Sequence, residues 1–145
     1  MRALIQRALK ASVHSEGELV GSIGPGLCVL VGVTHGDVES TAAKLAAKIW
    51  NLRIFDDENG VMNKSVAETS GEVLVISQFT LYGDASAGRR PTWSAAARPE
   101  HAEPLVDRVV LELRELGATV ETGRFRTNMA VELVNDGPVT VMVEV

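Results

Sequence analysis

The chain has 145 residues, of which 46% are hydrophobic and 23% charged, and its formal net charge is −5. This length predicts one compact domain over residues 1–145, with a core that needs no disulfides. No apolar stretch approaches the roughly 20 residues of a membrane span, so no membrane partner is expected. The acidic balance argues against non-specific binding of DNA or RNA, although clustered arginines could still contact one RNA end.

The amino terminus and the cysteine content predict a cytoplasmic protein. Arg2, Arg7 and Lys10 are scattered, and no continuous apolar segment follows them as it would in a secretory signal. Cys28 is the single cysteine and lies in an apolar run, which predicts a buried and unreactive thiol. One cysteine cannot form an internal disulfide, and this suits a reducing cytoplasm.

The first predicted element is a strand that carries an unusual arginine. Alternating apolar residues favour a strand over Arg2–Val13, although Ile5 and Leu9 also fit a helical stripe. Arg7 falls on the apolar face of this strand. An arginine there is either a structural ion pair or a side chain that points into a site.

Further strands and a helix follow up to the middle of the chain. Asp37 is predicted to cap a helix that ends near Leu52, since apolar residues between them repeat at helical spacing. An acidic Asn-Gly segment is read as a solvated hairpin tip rather than a calcium loop. The predicted strands are Leu19–Ile23 and Leu27–Thr34, with a hairpin formed by Arg53–Phe55 and Val61–Asn63.

The second half predicts one long helix and a hairpin at the carboxyl terminus. Thr92–Ala97 is expected to form a helical turn, and Glu100–Leu116 a helix that stops at Gly117. Asp136-Gly137 predicts a hairpin turn, although Pro138 directly after it removes a ladder donor. The predicted strands are Thr119–Thr122, Met129–Val134 and Val139–Val145. The pattern as a whole indicates a mixed α+β domain with mixed or antiparallel sheets and two main helices.

A buried strand in the middle of the chain ends in polar residues. Val73–Ile76 is an unbroken apolar run rich in β-branched residues, which predicts a strand buried on both faces. Ser77, Gln78 and Thr80 follow, with Phe79 among them. Either the strand runs out into solvent at this point, or these polar side chains form a site at its rigid end.

The remaining chemistry-bearing residues form no familiar motif. His14, His35 and His101 are scattered, and Ser77 lacks the Gly-x-Ser-x-Gly setting of a nucleophile elbow. A Ser-His-Asp triad therefore stays open without support. No metal-ligand spacing or phosphate-binding glycine loop is present in the sequence, so neither a metal nor a cofactor is expected.

Two motifs together resemble the D-aminoacyl-tRNA deacylase family. They are Ser77-Gln78-Phe79-Thr80-Leu81-Tyr82-Gly83 and Asn135-Asp136-Gly137-Pro138-Val139-Thr140, and the resemblance extends over the whole chain. One departure is Arg126-Thr127-Asn128, where the family pattern has a smaller and more acidic segment. The resemblance implies a homodimer that hydrolyses the ester between a D-amino acid, or mischarged glycine, and the 3′ end of tRNA.

The resemblance also implies roles for individual residues. Ser77, Gln78, Phe79 and Thr80 would form the catalytic segment, with Met129 and Arg7 among the substrate-binding residues. Gly137-Pro138 would be a cis dipeptide that enters the partner subunit's pocket and rejects L-aminoacyl esters. Three functions stay open at this point: this deacylase, a serine- or threonine-type hydrolase of small esters, and a module that binds tRNA ends without turnover.

Thr80 has two possible roles in such a reaction. Its hydroxyl could attack the ester, but no nearby base is evident in the sequence, and an unactivated hydroxyl is a weak nucleophile. The alternative is that the ribose 2′-OH of the substrate orients the water while backbone N–H groups near Phe79 and Thr80 stabilise the oxyanion. We favour the second hypothesis.

Overall fold

The computed structural model describes all residues from Met1 to Val145. A six-stranded mixed sheet and two long helices form its frame, and a two-stranded hairpin lies beside them. The strands are β1 (Arg2–Ser15), β2 (Glu18–Ile23), β3 (Gly26–Gly32), β4 (Phe55–Asp56), β5 (Met62–Lys64), β6 (Glu72–Ser77), β7 (Val120–Thr122) and β8 (Met129–Glu144). The helices are α1 (Glu39–Asn51), α2 (Val66–Thr69) and α3 (Pro99–Glu115), and a 3-10 helix spans Phe79–Tyr82. The predicted fold class is confirmed.

The sheet is antiparallel on one side and parallel on the other. Its strand order is β2-β1-β3-β6-β7. The sixth strand, β8, lies off this path and pairs with β1. β1 runs antiparallel to β2, β3 and β8, whereas β3, β6 and β7 are parallel. The carboxyl ends of β3 and β6 therefore meet at one edge, where Val31 pairs with Ser77.

The core lies on both faces of the parallel strands. A cluster of 26 buried residues fills the space between the sheet and the helices α1 and α3, and it includes Val73 and Val75. Leu74 and Ile76 point the other way, into a cluster of six residues that includes Cys28. The prediction that this strand is buried on both faces is confirmed. Burial also raises the pKa of the Cys28 thiol to about 11, which agrees with an unreactive side chain.

The predicted carboxyl-terminal hairpin is wrong. Residues 129–144 form the single strand β8, because both of its halves pair with β1, from Ser15–Met129 at one end to Arg2–Glu144 at the other. The register shifts around Ala8 accommodate the Asp136–Pro138 segment, so the chain continues instead of turning back. The peptide bond between Gly137 and Pro138 is cis.

Two smaller predictions also need correction. Asp37 does not cap α1, whose N-cap position is Val38. Its carboxylate instead accepts hydrogen bonds from the Met1 amino group and the Thr34 N–H, both at 2.7 Å. Residues 92–97 form a tight turn between two β-bridges rather than a helical turn. None of the helices is long and apolar enough to cross a membrane.

Candidate functional site

The candidate site lies where β6 ends and the chain tightens into the 3-10 helix. The Gln78 N–H still donates to the Val31 carbonyl at 2.7 Å, so the β3–β6 pairing extends one residue past Ser77. Phe79 then starts the 3-10 helix, and its side chain is 55% exposed. A rigid strand end thus presents Ser77, Gln78 and Phe79 together.

Two cavities that share these three residues open at this edge. The larger has a volume of about 340 Å³, is mainly apolar, and is lined in addition by Val31, Val33, Trp93, Ala96, Ala97, Arg98, Pro99, Ala102, Val106, Phe125 and Arg126. The smaller, of about 210 Å³, is lined also by Ile76, Arg126, Thr127, Asn128, Met129 and Val131. Of the residues predicted for the site, the structure therefore brings Ser77, Gln78, Phe79 and Met129 together.

Thr80 is adjacent to these cavities but lines neither of them. The side-chain amide nitrogen of Gln78 donates a hydrogen bond to the Thr80 hydroxyl, and this is the only side-chain bond that the hydroxyl makes. His35 and His101 are bonded through Nε2 to the carbonyls of Ser94 and Asp37. No imidazole or carboxylate is therefore hydrogen-bonded to Thr80, and the same is true of Ser77.

The backbone at the start of the 3-10 helix carries N–H groups without helical partners. The first hydrogen bond of this helix joins the Leu81 N–H to the Gln78 carbonyl, so the N–H groups of Phe79 and Thr80 precede it. Phe79 lines both cavities and Thr80 follows it in the chain, so both N–H groups lie next to the cavities. This is the kind of donor that stabilises a tetrahedral intermediate in acyl transfer.

Close packing fixes the 3-10 helix against the sheet. A Cβ atom at Gly32 would lie only 3.1 Å from the Gln78 carbonyl oxygen and from Leu81 Cβ, so a larger residue would press on the 3-10 helix. The Arg2 guanidinium lies 4.6 Å from the centre of the Tyr82 ring and donates to the Leu81 carbonyl at 3.2 Å. Burial, with a smaller contribution from the charge of Asp37, raises the pKa of Tyr82 to about 12, so this ring stays neutral.

Arg7 is a structural residue that supports the Gly137-Pro138 segment. Its guanidinium is buried and donates to the carbonyl of Ile54 at 2.7 Å and to the carbonyl of Asp136 at 3.0 Å. It also pairs with the carboxylates of Asp56 and Asp136. The structural ion pair is thus the interpretation that the contacts favour, and direct contact of Arg7 with substrate stays a prediction.

Gly137 and Pro138 lie away from the cavities of their own chain. Neither residue lines them, and both are exposed. The strand register places this segment beside Arg7 of β1. Ser77 pairs with Val31 of β3, which in turn pairs with Ala3 of β1, so Ser77 is level with Ala3. Four residues along the strands and three strand spacings across them give a separation of roughly 20 Å.

Several residues of the site are not among those predicted from the sequence. Trp93, Phe125 and Arg98 reach the larger cavity from three separate segments, and Arg126 lines both cavities. No periodicity or spacing in the sequence indicates which of these side chains face the cavity. Only the tertiary structure reveals these contacts.

The candidate site thus combines an apolar cavity with backbone N–H donors at the end of β6, and neither Ser77 nor Thr80 is hydrogen-bonded to a base there. A family model described as D-Tyr-tRNA(Tyr) deacylase matches residues 4–144. The chain belongs to this family. The family and the enzyme class predicted from the sequence, a hydrolase acting on aminoacyl-tRNA, are confirmed.

Individual relatives agree with this assignment. The chain is 61% identical over 146 residues to a D-aminoacyl-tRNA deacylase of Streptomyces coelicolor, with all of both chains covered. It is 60% identical over 144 residues to that of Heliobacterium modesticaldum, covering 99% of this chain and 96% of the relative.

Solved structures show the same fold. A c-Myc DNA unwinding element binding protein superposes with a TM-score of 0.94 at 37% identity, covering 100% of this chain and 99% of the other. A probable eukaryotic D-amino acid tRNA deacylase gives a TM-score of 0.84 at 16% identity, covering 99% and 98%. At 16% identity the second likeness concerns the fold alone.

Proposed function

We propose that this protein hydrolyses the ester of D-aminoacyl-tRNA and of glycine mischarged on tRNA, while it spares L-aminoacyl-tRNA. The observation that carries the proposal is the meeting of Ser77, Gln78 and Phe79 at one apolar cavity with Arg98 and Arg126 at its wall. An adenosine that carries an aminoacyl group fits such a lining, because its base is flat and the adjoining phosphate is anionic. The protein acts in the cytoplasm, where charged tRNA is used.

The chemical step is attack of water on the ester carbonyl carbon. The bond between that carbon and the ribose oxygen breaks, the ribose oxygen leaves with a proton, and the free amino acid and tRNA are released. The N–H groups of Phe79 and Thr80 would stabilise the intermediate oxyanion. Each such donor is typically worth about 10²–10³ in rate.

The Thr80 hydroxyl is a positioning group in this mechanism and not the nucleophile. Its side-chain partner is the amide nitrogen of Gln78, which is a donor and cannot take up a proton. Nucleophilic hydroxyls in enzymes need a base within hydrogen-bond distance. We therefore assign the orientation of the water to the ribose 2′-OH of the substrate.

Selection between D and L esters works by exclusion. The enzyme has to accept many side chains, so it gains more from blocking the direction of an L side chain than from binding each D side chain. The backbone carbonyls of Gly137 and Pro138 suit this task, since they cannot rotate away. Glycine has no side chain to block, so its ester is hydrolysed as well.

A second copy of the chain would supply Gly137 and Pro138 to the site. Within one chain the dipeptide lies roughly 20 Å from Ser77 by the strand geometry. Three large apolar side chains lie exposed on β1 and β8 on either side of it, namely Leu9 (53%), Val134 (42%) and Met142 (52%). A two-fold homodimer that covers this face would bring each dipeptide to the partner's cavity.

Mixing two defective variants tests this arrangement. A chain with Phe79→Glu lacks a functional cavity, and a chain with an altered Gly137-Pro138 segment lacks the excluding element. Dimers formed from both chains should contain one intact composite site, so hydrolysis of the D ester with sparing of the L ester should return. If selectivity stays absent in the mixed dimers, both elements act within one chain and the proposal is wrong.

The alternative functions have weaker support. A hydrolase of small esters would need a base, but His35 and His101 are bonded to backbone carbonyls outside the cavity. A binding module without turnover would rely on more phosphate contacts than a chain of net charge −5 offers. For the same reason we expect no tight binding of duplex DNA, although the name of one structural neighbour refers to DNA.

The decisive experiment compares release of amino acid from D-tyrosyl-tRNA and L-tyrosyl-tRNA with wild-type protein and with Thr80→Ala. Rapid loss of the D ester alone is expected for the wild type, and the variant should keep its activity within about tenfold. Loss of about a thousandfold or more would assign Thr80 as the nucleophile. Equal cleavage of both esters, or of neither, would contradict the proposed function.

A further inference from the structure

An exposed aromatic pair lies at the mouth of the larger cavity. Trp93 is 43% exposed and Phe79 55% exposed, although both are large apolar side chains. Their ring centres are 5.5 Å apart and the ring planes meet at 72°. Both residues line the cavity, so this pair presents aromatic surface directly beside the place proposed for the aminoacyl-adenosine.

The fold holds Trp93 in a fixed position. Thr92 exchanges two backbone hydrogen bonds with Asp84, of 2.9 and 2.8 Å, and Ala96 forms a bridge with Thr34. The Trp93 ring packs on Gly83 so closely that a Cβ atom at that residue would collide with it. An exposed tryptophan that is held on both sides and packed on a glycine is a built surface rather than a loose loop residue.

The same mouth is rich in unpaired positive charge. Arg98 and Arg126 line the cavity, and Arg89 and Arg90 are exposed in the loop that leads to Trp93. None of these four forms an ion pair or a hydrogen bond through its guanidinium. In a chain with net charge −5, two free arginines in the cavity wall and two more in the adjoining loop indicate an anionic ligand.

The size of the cavity determines which part of the RNA reaches this surface. Its volume of about 340 Å³ is near the lower end of the range for pockets that hold one small molecule. A single aminoacyl-nucleoside fills such a space. The nucleotide that precedes it must then pass over the rim, where Trp93 and the arginines lie.

Resting on the proposed function, we propose that Trp93 stacks on the base of the nucleotide preceding the terminal adenosine, and that Arg98 and Arg126 contact the phosphate that joins the two. Stacking on an aromatic side chain is how proteins usually hold an unpaired base. The protein therefore recognises at least two nucleotides of the single-stranded acceptor end. Recognition of the second nucleotide depends on stacking and charge, not on its base identity.

The test compares two D-tyrosyl esters, one of adenosine and one of the dinucleotide cytidylyl-adenosine. Trp93→Ala should reduce kcat/KM for the dinucleotide ester by a factor between about 5 and 150 beyond any loss on the adenosine ester. Trp93→Phe should restore most of this difference, because it keeps an aromatic face. Arg98→Gln should weaken the dependence of the dinucleotide reaction on salt concentration.

A binding measurement supports the test without requiring turnover. Trp50→Phe leaves Trp93 as the only tryptophan, and Trp50 is half-buried against the core. Cytidylyl-adenosine should quench the fluorescence of this variant saturably, with a smaller effect of adenosine. Equal quenching by the two ligands, or equal losses of Trp93→Ala on both esters, would overturn the proposal. If the wild type hydrolyses neither D ester while the dinucleotide still quenches, the proposed function fails and the stacking site stands.

Discussion

Replacing Arg7 by methionine removes a buried guanidinium while it keeps most of the aliphatic side chain. The contacts that disappear are hydrogen bonds to the carbonyls of Ile54 and Asp136, at 2.7 and 3.0 Å, and two ion pairs. The Asp136 carbonyl directly precedes Gly137. Arg7→Met therefore acts both on stability and on the segment that we assign to chiral selection.

The loss in stability follows from the burial of these contacts. A hydrogen bond from a charged donor contributes about 1.5–3 kcal/mol, so the two carbonyl bonds together contribute about 3–6 kcal/mol. The carboxylates of Asp56 and Asp136 are 50% and 41% exposed, so their pairs add little. The variant no longer has to bury a charge, which offsets part of the loss. We expect a net decrease in the free energy of unfolding of about 3 kcal/mol.

Urea unfolding measured by circular dichroism at one fixed protein concentration gives this value. Arg124→Met is the matched control, because Arg124 forms an exposed pair with Glu18 and its loss should cost less than about 1 kcal/mol. Without denaturant, Arg7→Met should also lower the ratio of D to L ester hydrolysis by about tenfold or more, since small displacements at a site are costly. A stability loss no larger than that of Arg124→Met would refute the role assigned to Arg7.

Three further predictions concern other parts of the structure. Gly32→Ala should keep the fold but lower the rate of D-ester hydrolysis by about tenfold or more, because the new methyl group presses on the 3-10 helix. An unchanged rate would show that the position of the 3-10 helix is unimportant for hydrolysis. Asp37→Asn should lower the free energy of unfolding by about 3 kcal/mol, since it leaves the Met1 amino group buried without its counter-ion, whereas exposed Asp107→Asn should have little effect. Burial raises the pKa of Cys28 from 9.0 to about 11 and that of Tyr82 from 10.0 to about 12. The folded state therefore keeps these protons up to a higher pH than the unfolded state does. The urea midpoint should fall as pH rises through this range, and Cys28→Ala should make that fall smaller.

Local patterns in the sequence were sufficient for most elements of the fold. The glycine-flanked run Val73–Ile76 is apolar on both faces, and the structure gives each face its own core cluster. The helix ending before Gly117 was predictable from apolar spacing and from that glycine, whose φ is +102°. These features depend on neighbours in the chain, which a sequence shows directly.

Features that depend on distant partners were not predictable. Asp136-Gly137 is a strong local turn signal, but pairing with β1 along nearly its full length keeps β8 extended. The motif at Ser77–Thr80 pointed to the candidate site, whereas the packing of Trp93 on Gly83 and the position of Arg98 and Arg126 in the cavity wall depend on tertiary structure. The distance between Gly137-Pro138 and Ser77 likewise follows only from the register of four strands.

The central claim is that chirality is read by exclusion and not by binding of the D side chain. The most direct measurement compares the hydrolysis rates of D-alanyl, L-alanyl and glycyl esters on the same tRNA. Exclusion predicts that the D-alanyl and glycyl esters are both hydrolysed, at rates within about tenfold, and that the L-alanyl ester is spared. If the glycyl ester is spared together with the L-alanyl ester, the enzyme binds the D side chain itself, and the account is wrong.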